Sequence, residues 1–194
     1  EYYLSASVLY RMLDNLSFSL STDGSINTMN ANLNEFAQPT RYSWLTAFAG
    51  KYMNDWLTIS ASALATIINE DVKEGGSAGN HRKLTPYISA SFKPFYHEEF
   101  RIRFFYKDIF RLPSFNDLYY QEVGNTKLRP ENARQYNVGL TYSKNVCPFL
   151  PYLSATIDAY YNKVTDKIIA YPTKNLAVWS MRNLGEVEIK GIDA

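Results

Sequence analysis

Leu57-Thr58-Ile59-Ser60-Ala61-Ser62-Ala63-Leu64-Ala65-Thr66-Ile67 decides the fold class of this chain. Leu57, Ile59, Ala61, Ala63, Ala65 and Ile67 fall on one side of an extended backbone, and Thr58, Ser60 and Ser62 fall on the other. Successive side chains of a strand point to opposite faces, so this period of two gives one apolar and one polar surface. Only Leu64 and Ile68 blur the far end.

The pattern recurs on both sides of this stretch. Leu16, Phe18 and Leu20 alternate with Ser17, Ser19 and Ser21. Phe100, Ile102, Phe104 and Tyr106 alternate with Arg101, Arg103 and Lys107, interrupted by Phe105. Tyr136, Val138, Leu140 and Tyr142 alternate with Gln135, Asn137, Thr141 and Ser143. Leu153, Ala155, Ile157, Ala159 and Tyr161 alternate with Ser154, Thr156, Asp158 and Asn162, and Val187 and Ile189 with Glu186, Glu188 and Lys190. The rhythm predicts about nine strands, many near the roughly 9–11 residues that cross a bilayer when tilted.

Short turns are expected near Met12 to Asn15, Met53 to Asp55, Pro94 to Glu98 and Lys144 to Pro151. Long loops are expected over Thr22 to Thr40, Asn69 to Lys83, Lys107 to Asn132 and Val164 to Asn183. Strict alternation of short and long puts every long loop at one end, as in an outer-membrane barrel. The predicted fold is therefore all-β: an antiparallel up-and-down meander forming a partial transmembrane β-barrel. A soluble sandwich with a dry core also alternates. It accommodates Arg101, Arg103 and Lys107 poorly, whereas a wet lumen holds them easily.

Composition narrows the function. Twenty Lys and Arg against nineteen Asp and Glu give a net charge of +1, which lacks the cationic excess of a nucleic-acid binder. Sixteen Tyr and eleven Phe suit an amphipathic boundary, where Tyr and Trp place a ring in apolar surroundings and a polar atom in water. Tyr10, Tyr52, Trp56, Tyr87, Phe95, Tyr96, Tyr106, Tyr142 and Tyr152 lie near the expected strand ends. A mean hydropathy of -0.30 is compatible with a barrel, in which only alternate residues meet lipid. The single cysteine, Cys147, allows no disulfide within the chain, and His81 and His97 have no second ligand at a metal-binding spacing. No metal, cofactor or catalytic residue is expected, since no nucleophile-and-base arrangement or nucleotide fingerprint is present. Glu1-Tyr2-Tyr3-Leu4-Ser5 is not a signal peptide, because a basic segment and apolar core are lacking.

The segment from Lys107 to Asn132 carries a more specific signal. It contains Phe110-Arg111-Leu112-Pro113, then Asp117-Leu118-Tyr119-Tyr120, then Gly124-Asn125-Thr126-Lys127-Leu128-Arg129-Pro130-Glu131, followed by Tyr136-Asn137-Val138-Gly139. This combination resembles the TonB-dependent receptor family. Asp158-Ala159-Tyr160-Tyr161-Asn162-Lys163-Val164 and Asn183-Leu184-Gly185-Glu186-Val187-Glu188-Ile189-Lys190-Gly191-Ile192-Asp193 are similar to it as well. The resemblance implies a bacterial outer-membrane active transporter for a ferric siderophore, cobalamin, haem or glycan, and no enzyme. It implies a plug domain inside a barrel of about 22 strands, and energy drawn from TonB through N-terminal regions. Residues 1–194 are then expected to be a fragment of the barrel domain, with the plug and earlier strands absent. A soluble β-rich ligand-binding or adhesin module is the alternative.

Site expectations follow. Phe110, Arg111, Pro113, Asp117, Leu118, Gly124, Asn125, Pro130 and Glu131 form the family's loop motif; turn chemistry accounts for Pro113, Gly124, Pro130 and Glu131 without a ligand. Arg101, Arg103 and Lys107 are expected to line the lumen, holding a plug or attracting an anionic substrate. Phe115, Tyr119 and Tyr120 are expected either in an extracellular ligand surface or packed beneath the loop. Leu57, Ile59, Ala61, Ala63, Phe100, Ile102, Phe104, Val138, Leu140, Leu153, Ala155 and Ile157 are expected to face lipid. Isolated, such a fragment would leave sheet edges and an apolar face open, inviting self-association.

Overall fold

Strand pairing follows sequence order throughout. The computed structural model describes residues 1–96, 99–144, 152–173 and 178–194. Its nine strands are β1 (Tyr2–Leu13), β2 (Leu16–Thr28), β3 (Thr40–Met53), β4 (Leu57–Asp71), β5 (His81–Phe92), β6 (Glu99–Arg111), β7 (Glu131–Lys144), β8 (Leu153–Pro172) and β9 (Trp179–Asp193). They make one antiparallel sheet in the order β1 to β9, without crossovers. The only helix among the described residues is α1 (Phe115–Tyr119), in the β6–β7 loop. His97 and Cys147 lie outside the described residues.

Register carries the alternation across the whole sheet. Directly opposed residues of an antiparallel pair share a face. Leu57 opposes Phe92, which opposes Ile102, then Leu140, then Ile157. All twelve apolar positions expected to face lipid therefore share one face, which continues through Tyr52, Phe18 and Tyr10 at the other end. Much of it is exposed, with Phe48 at 54%, Val138 at 51% and Ile157 at 52%. The opposite face carries Ser17, Ser60, Ser89, Asn137 and Tyr160 in one row. Tyr87 lies on this second face, opposite Lys107, rather than with the boundary aromatics. Register decides this, because Tyr87 is one residue from Ile88 and so points the other way.

The strands run 12 to 20 residues, longer than the apolar alternation suggested. The segments read as loops from Thr22, Asn69 and Lys107 begin as strand, up to Thr28, Asp71 and Arg111. The segment read as a loop from Val164 to Asn183 is mostly hairpin, paired from Val164 with Val187 to Pro172 with Trp179. Polar contacts carry the hairpin onward: Lys163 bridges Glu186 at 2.9 Å at the base of this extension, and the Asn183 side chain donates to the Asp166 carbonyl at 2.8 Å within it. At the other end only Asp14 and Asn15 separate β1 from β2. At β3–β4 the Asn54 side chain accepts from the N–H groups of Trp56 and Leu57, a local bond that sets the reversal.

The buried core sits at the loop end. Phe36, Leu118, Tyr119, Leu128 and Ile168 form it, with Met29, Val72, Ala78, Phe115 and Met181 packed around it. These residues come from the β2–β3, β4–β5 and β6–β7 connections and from β8 and β9.

Candidate functional site at the loop end

The β6–β7 connection is built as a strap. Pro113 is fully buried, and its ring fixes the chain direction as it leaves β6. Ser114 then caps α1: its hydroxyl accepts from the Asp117 N–H at 3.2 Å, and the Asp117 carboxylate accepts from the Ser114 N–H at 2.9 Å. This reciprocal box satisfies two backbone donors that a five-residue helix would otherwise leave open. Past the helix, Gly124 donates to the Tyr120 carbonyl at 2.7 Å. A Cβ on Gly124 would stand 2.7 Å from the Leu118 and Tyr120 backbones, so no larger residue fits this closure.

One side of the strap is held by β3 and β4. The Glu70 carboxylate is buried and accepts from Arg41 Nε at 2.7 Å. Arg41 also donates to the Pro113 carbonyl at 2.9 Å and lies 4.7 Å from the Phe115 ring centre. The Tyr119 hydroxyl donates to the second Glu70 oxygen and accepts from the Ala78 N–H. Burial first, then donation to Glu70, push this hydroxyl up to about 12. It stays protonated and remains a donor across ordinary pH. Loss of Arg41 would leave a buried unpaired carboxylate, a change costing about 3–5 kcal/mol.

The other side is held by β8 and β9. Met181 donates its N–H to the Val123 carbonyl at 2.9 Å, and Asn125 donates to the Met181 carbonyl at 3.0 Å. Arg129 grips Asp166 through two nitrogens, and Asn183 bonds the Arg129 backbone in both directions. Asp166 has a φ of 55°, and this local irregularity in β8 turns its carboxylate to the strap. Glu131, at the start of β7, accepts from Arg111, Lys167 and the Ile168 N–H.

The structure thus separates the three loop aromatics. Tyr119 is 7% exposed and engaged with Glu70; Phe115 packs against Tyr119 and Arg41; Tyr120 is 59% exposed. It also separates the three cations, which share the polar face with Ser91, Gly139 and Gln135. Arg103 reaches across β7 to grip Asp158 at 3.0 and 2.8 Å. The pair passes over Gly139, where a Cβ would collide with both side chains. Arg101 and Lys107 form no ion pair among the described residues. Sequence reasoning did not find Arg41, Glu70, Ala78 or Asp166 as partners of the motif, since 49 residues separate Glu70 from Tyr119. Among the described residues no group of His, Cys, Asp and Glu is placed to hold a metal.

Comparison with known proteins agrees with this architecture. The family described as "TonB dependent receptor-like, beta-barrel" matches residues 2–194. The chain is 34% identical over 84 residues to "Vitamin B12 transporter BtuB" of Vibrio vulnificus, and 32% identical over 88 residues to the protein of that name from Photobacterium profundum. Each match covers 43% of this chain and spans only 13% of the relative. Among solved structures, the Serratia marcescens hemophore receptor HasR superposes with a TM-score of 0.70 at 13% identity, over 97% of this chain and 37% of that one. The FrpB iron transporter of Neisseria meningitidis superposes at 0.66, over 96% and 31%. The likeness extends over nearly the whole of the described sheet, and the chain belongs to the TonB-dependent receptor family as part of its β-barrel.

Proposed function

We propose that this chain forms part of the wall of a bacterial outer-membrane transporter that is driven by TonB and takes up a scarce nutrient. The observation that carries the reading is the two-faced sheet: one face apolar and exposed from β1 to β8, the other polar. An apolar face of this extent is costly in water and suited to lipid. In this reading the polar face lines the lumen, the strap faces the exterior, and a plug domain of the same receptor fills the barrel.

A ferric siderophore, cobalamin, haem or a glycan is the substrate class. Cobalamin is the first to test, because two relatives are named as vitamin B12 transporters. Deleting the gene should abolish TonB-dependent accumulation of one labelled substrate and spare the others; unaltered uptake of all four would overturn the reading. Within the lumen, Arg101 and Lys107 are the cations for an anionic substrate or plug, whereas Arg103 is committed to Asp158. Arg101→Glu with Lys107→Glu should slow uptake or loosen the plug without blocking insertion. Tyr120 is the loop aromatic presented to ligand, and Tyr120→Ala should weaken substrate binding at the surface.

A further inference from the structure

The wall is not equally stitched along its length. β5 pairs with β4 from His81 to Phe92, but with β6 only from Tyr87 to Phe92. β6 runs on to Arg111, paired with β7 alone. The cause is in the sequence. The Lys93 N–H donates to the Trp56 carbonyl at 2.7 Å, so odd positions of this continuous register turn their backbone groups toward β4 and even positions toward β6. Pro86 is even, and it brings no N–H to the β6 side. Pairing with β6 stops at the next residue, Tyr87.

Beyond that point no backbone pairing joins the two strands, and the His81 and Phe110 rings meet across the gap with centres 6.4 Å apart. The space beside them is a cavity of about 510 Å³ lined by Thr66, Thr85, Tyr87, Lys107, Asp108 and Phe110 among others. One carboxylate oxygen of Asp108 is buried there with no hydrogen-bond partner. Unpaired backbone is not tolerated in hydrocarbon. On β6, β7 and β8 the outward face changes character there: a row of Tyr106, Tyr136 and Tyr161, then Asp108, Arg134 and Lys163 one step nearer the loops. On the β6 side the seam lies past that row, among charged residues; on the β5 side the outward-facing Leu84 is 62% exposed.

The strap crosses this seam. It is continuous with β6 and β7 and bonded to β8 and β9, yet it grips Arg41 of β3, Glu70 of β4 and Ala78 of the β4–β5 loop. We propose that the loop end of the wall parts along the β5–β6 seam, and that the contacts of Tyr119 and Pro113 with Glu70, Ala78 and Arg41 are the latch that keeps it closed. Above the paired segment from Tyr87 to Phe92, the loop ends of β1 to β5 and of β6 to β9 then move apart, and the strap travels with the second.

Spin-label distances in the full-length receptor, reconstituted in lipid and carrying Cys147→Ser, test this. Arg82→Cys on β5 and Arg134→Cys on β7 place exposed labels across the seam; Arg134→Cys and Arg182→Cys place them within one body. Tyr119→Phe keeps the ring and removes the hydroxyl donor, and Arg41→Lys keeps the charge beside Glu70 while removing the guanidinium fork. Each should shift the seam distance to a longer, broader distribution and leave the control pair unchanged. An unchanged seam distance in both variants overturns the proposal. Equal broadening of both pairs also overturns it, since that is general loosening.

Discussion

Tyr119 shows how much a single side chain can hold at the loop end. Its ring fills the core beside Leu118 and its hydroxyl serves Glu70 and Ala78. Its folded-state pKa lies at about 12, above the ordinary 10.0. The neutral hydroxyl therefore contributes fully below about pH 10, and the contribution is lost as pH rises toward about 12. Limited proteolysis of the strap should accelerate across that window, and Tyr119→Phe should remove the pH dependence while raising the rate at neutral pH. An unchanged profile in the variant would show that another group controls the loop. Gly124 is a second such point: Gly124→Ala puts a methyl against the Leu118 and Tyr120 backbones. Overpacking of this kind costs roughly 1–3 kcal/mol, visible as faster cleavage between Tyr120 and Arg129 with the sheet intact.

At the scale of the strand, face decides tolerance. Ala61 and Ala155 lie on the apolar face, while Ser60 and Ser154 beside them lie on the polar one. Arginine at Ala61 or Ala155 should cost roughly 2–4 kcal/mol near the bilayer midplane, whereas arginine at Ser60 or Ser154 should be nearly silent. Folding titrations of the full-length receptor into lipid vesicles give the comparison, and equal costs on both faces would show that the faces are assigned wrongly. The extensions beyond the lipid follow a different rule. Tyr106, Tyr136 and Tyr161 meet as tilted rings across β6, β7 and β8, with centres 5.0 and 6.1 Å apart, and past them charged pairs such as Lys163 with Glu186 join the strands. That change of chemistry without a change of backbone pairing is why the strands outrun the apolar pattern.

For the whole sheet, the open edges matter most. β1 and β9 each have one paired neighbour, and β1 is exposed along its entire length. Edges of this kind pair with another chain in water, and lipid does not tolerate them. In the intact receptor we expect further strands on both. Residues 1–194 made alone should self-associate through these edges or the apolar face, giving a concentration-dependent rise in light scattering. A monodisperse monomer without detergent would overturn that expectation.

The sequence by itself determined the sheet. A period of two is a local property of the chain, so the faces, the meander and the family motif were legible residue by residue, from Leu57 to Ile67 and from Phe110 to Glu131. The extent of the strands was not, because polar residues such as Asp166 and Asn183 bond as readily in a hairpin as they solvate in a loop, and only the partner strand distinguishes the two. The tertiary structure decided the rest of the site. It buried Tyr119 and exposed Tyr120, although the two are neighbours of identical chemistry. It paired Arg103 with Asp158 from 55 residues away and left Lys107 without an ion pair among the described residues. Pro86 stands between these cases. Its missing N–H is written in the sequence, but which neighbouring strand loses a bond depends on the register of β4 against β5. Such outcomes depend on which distant residues the closed register brings together, and a one-dimensional pattern carries no information about that distance.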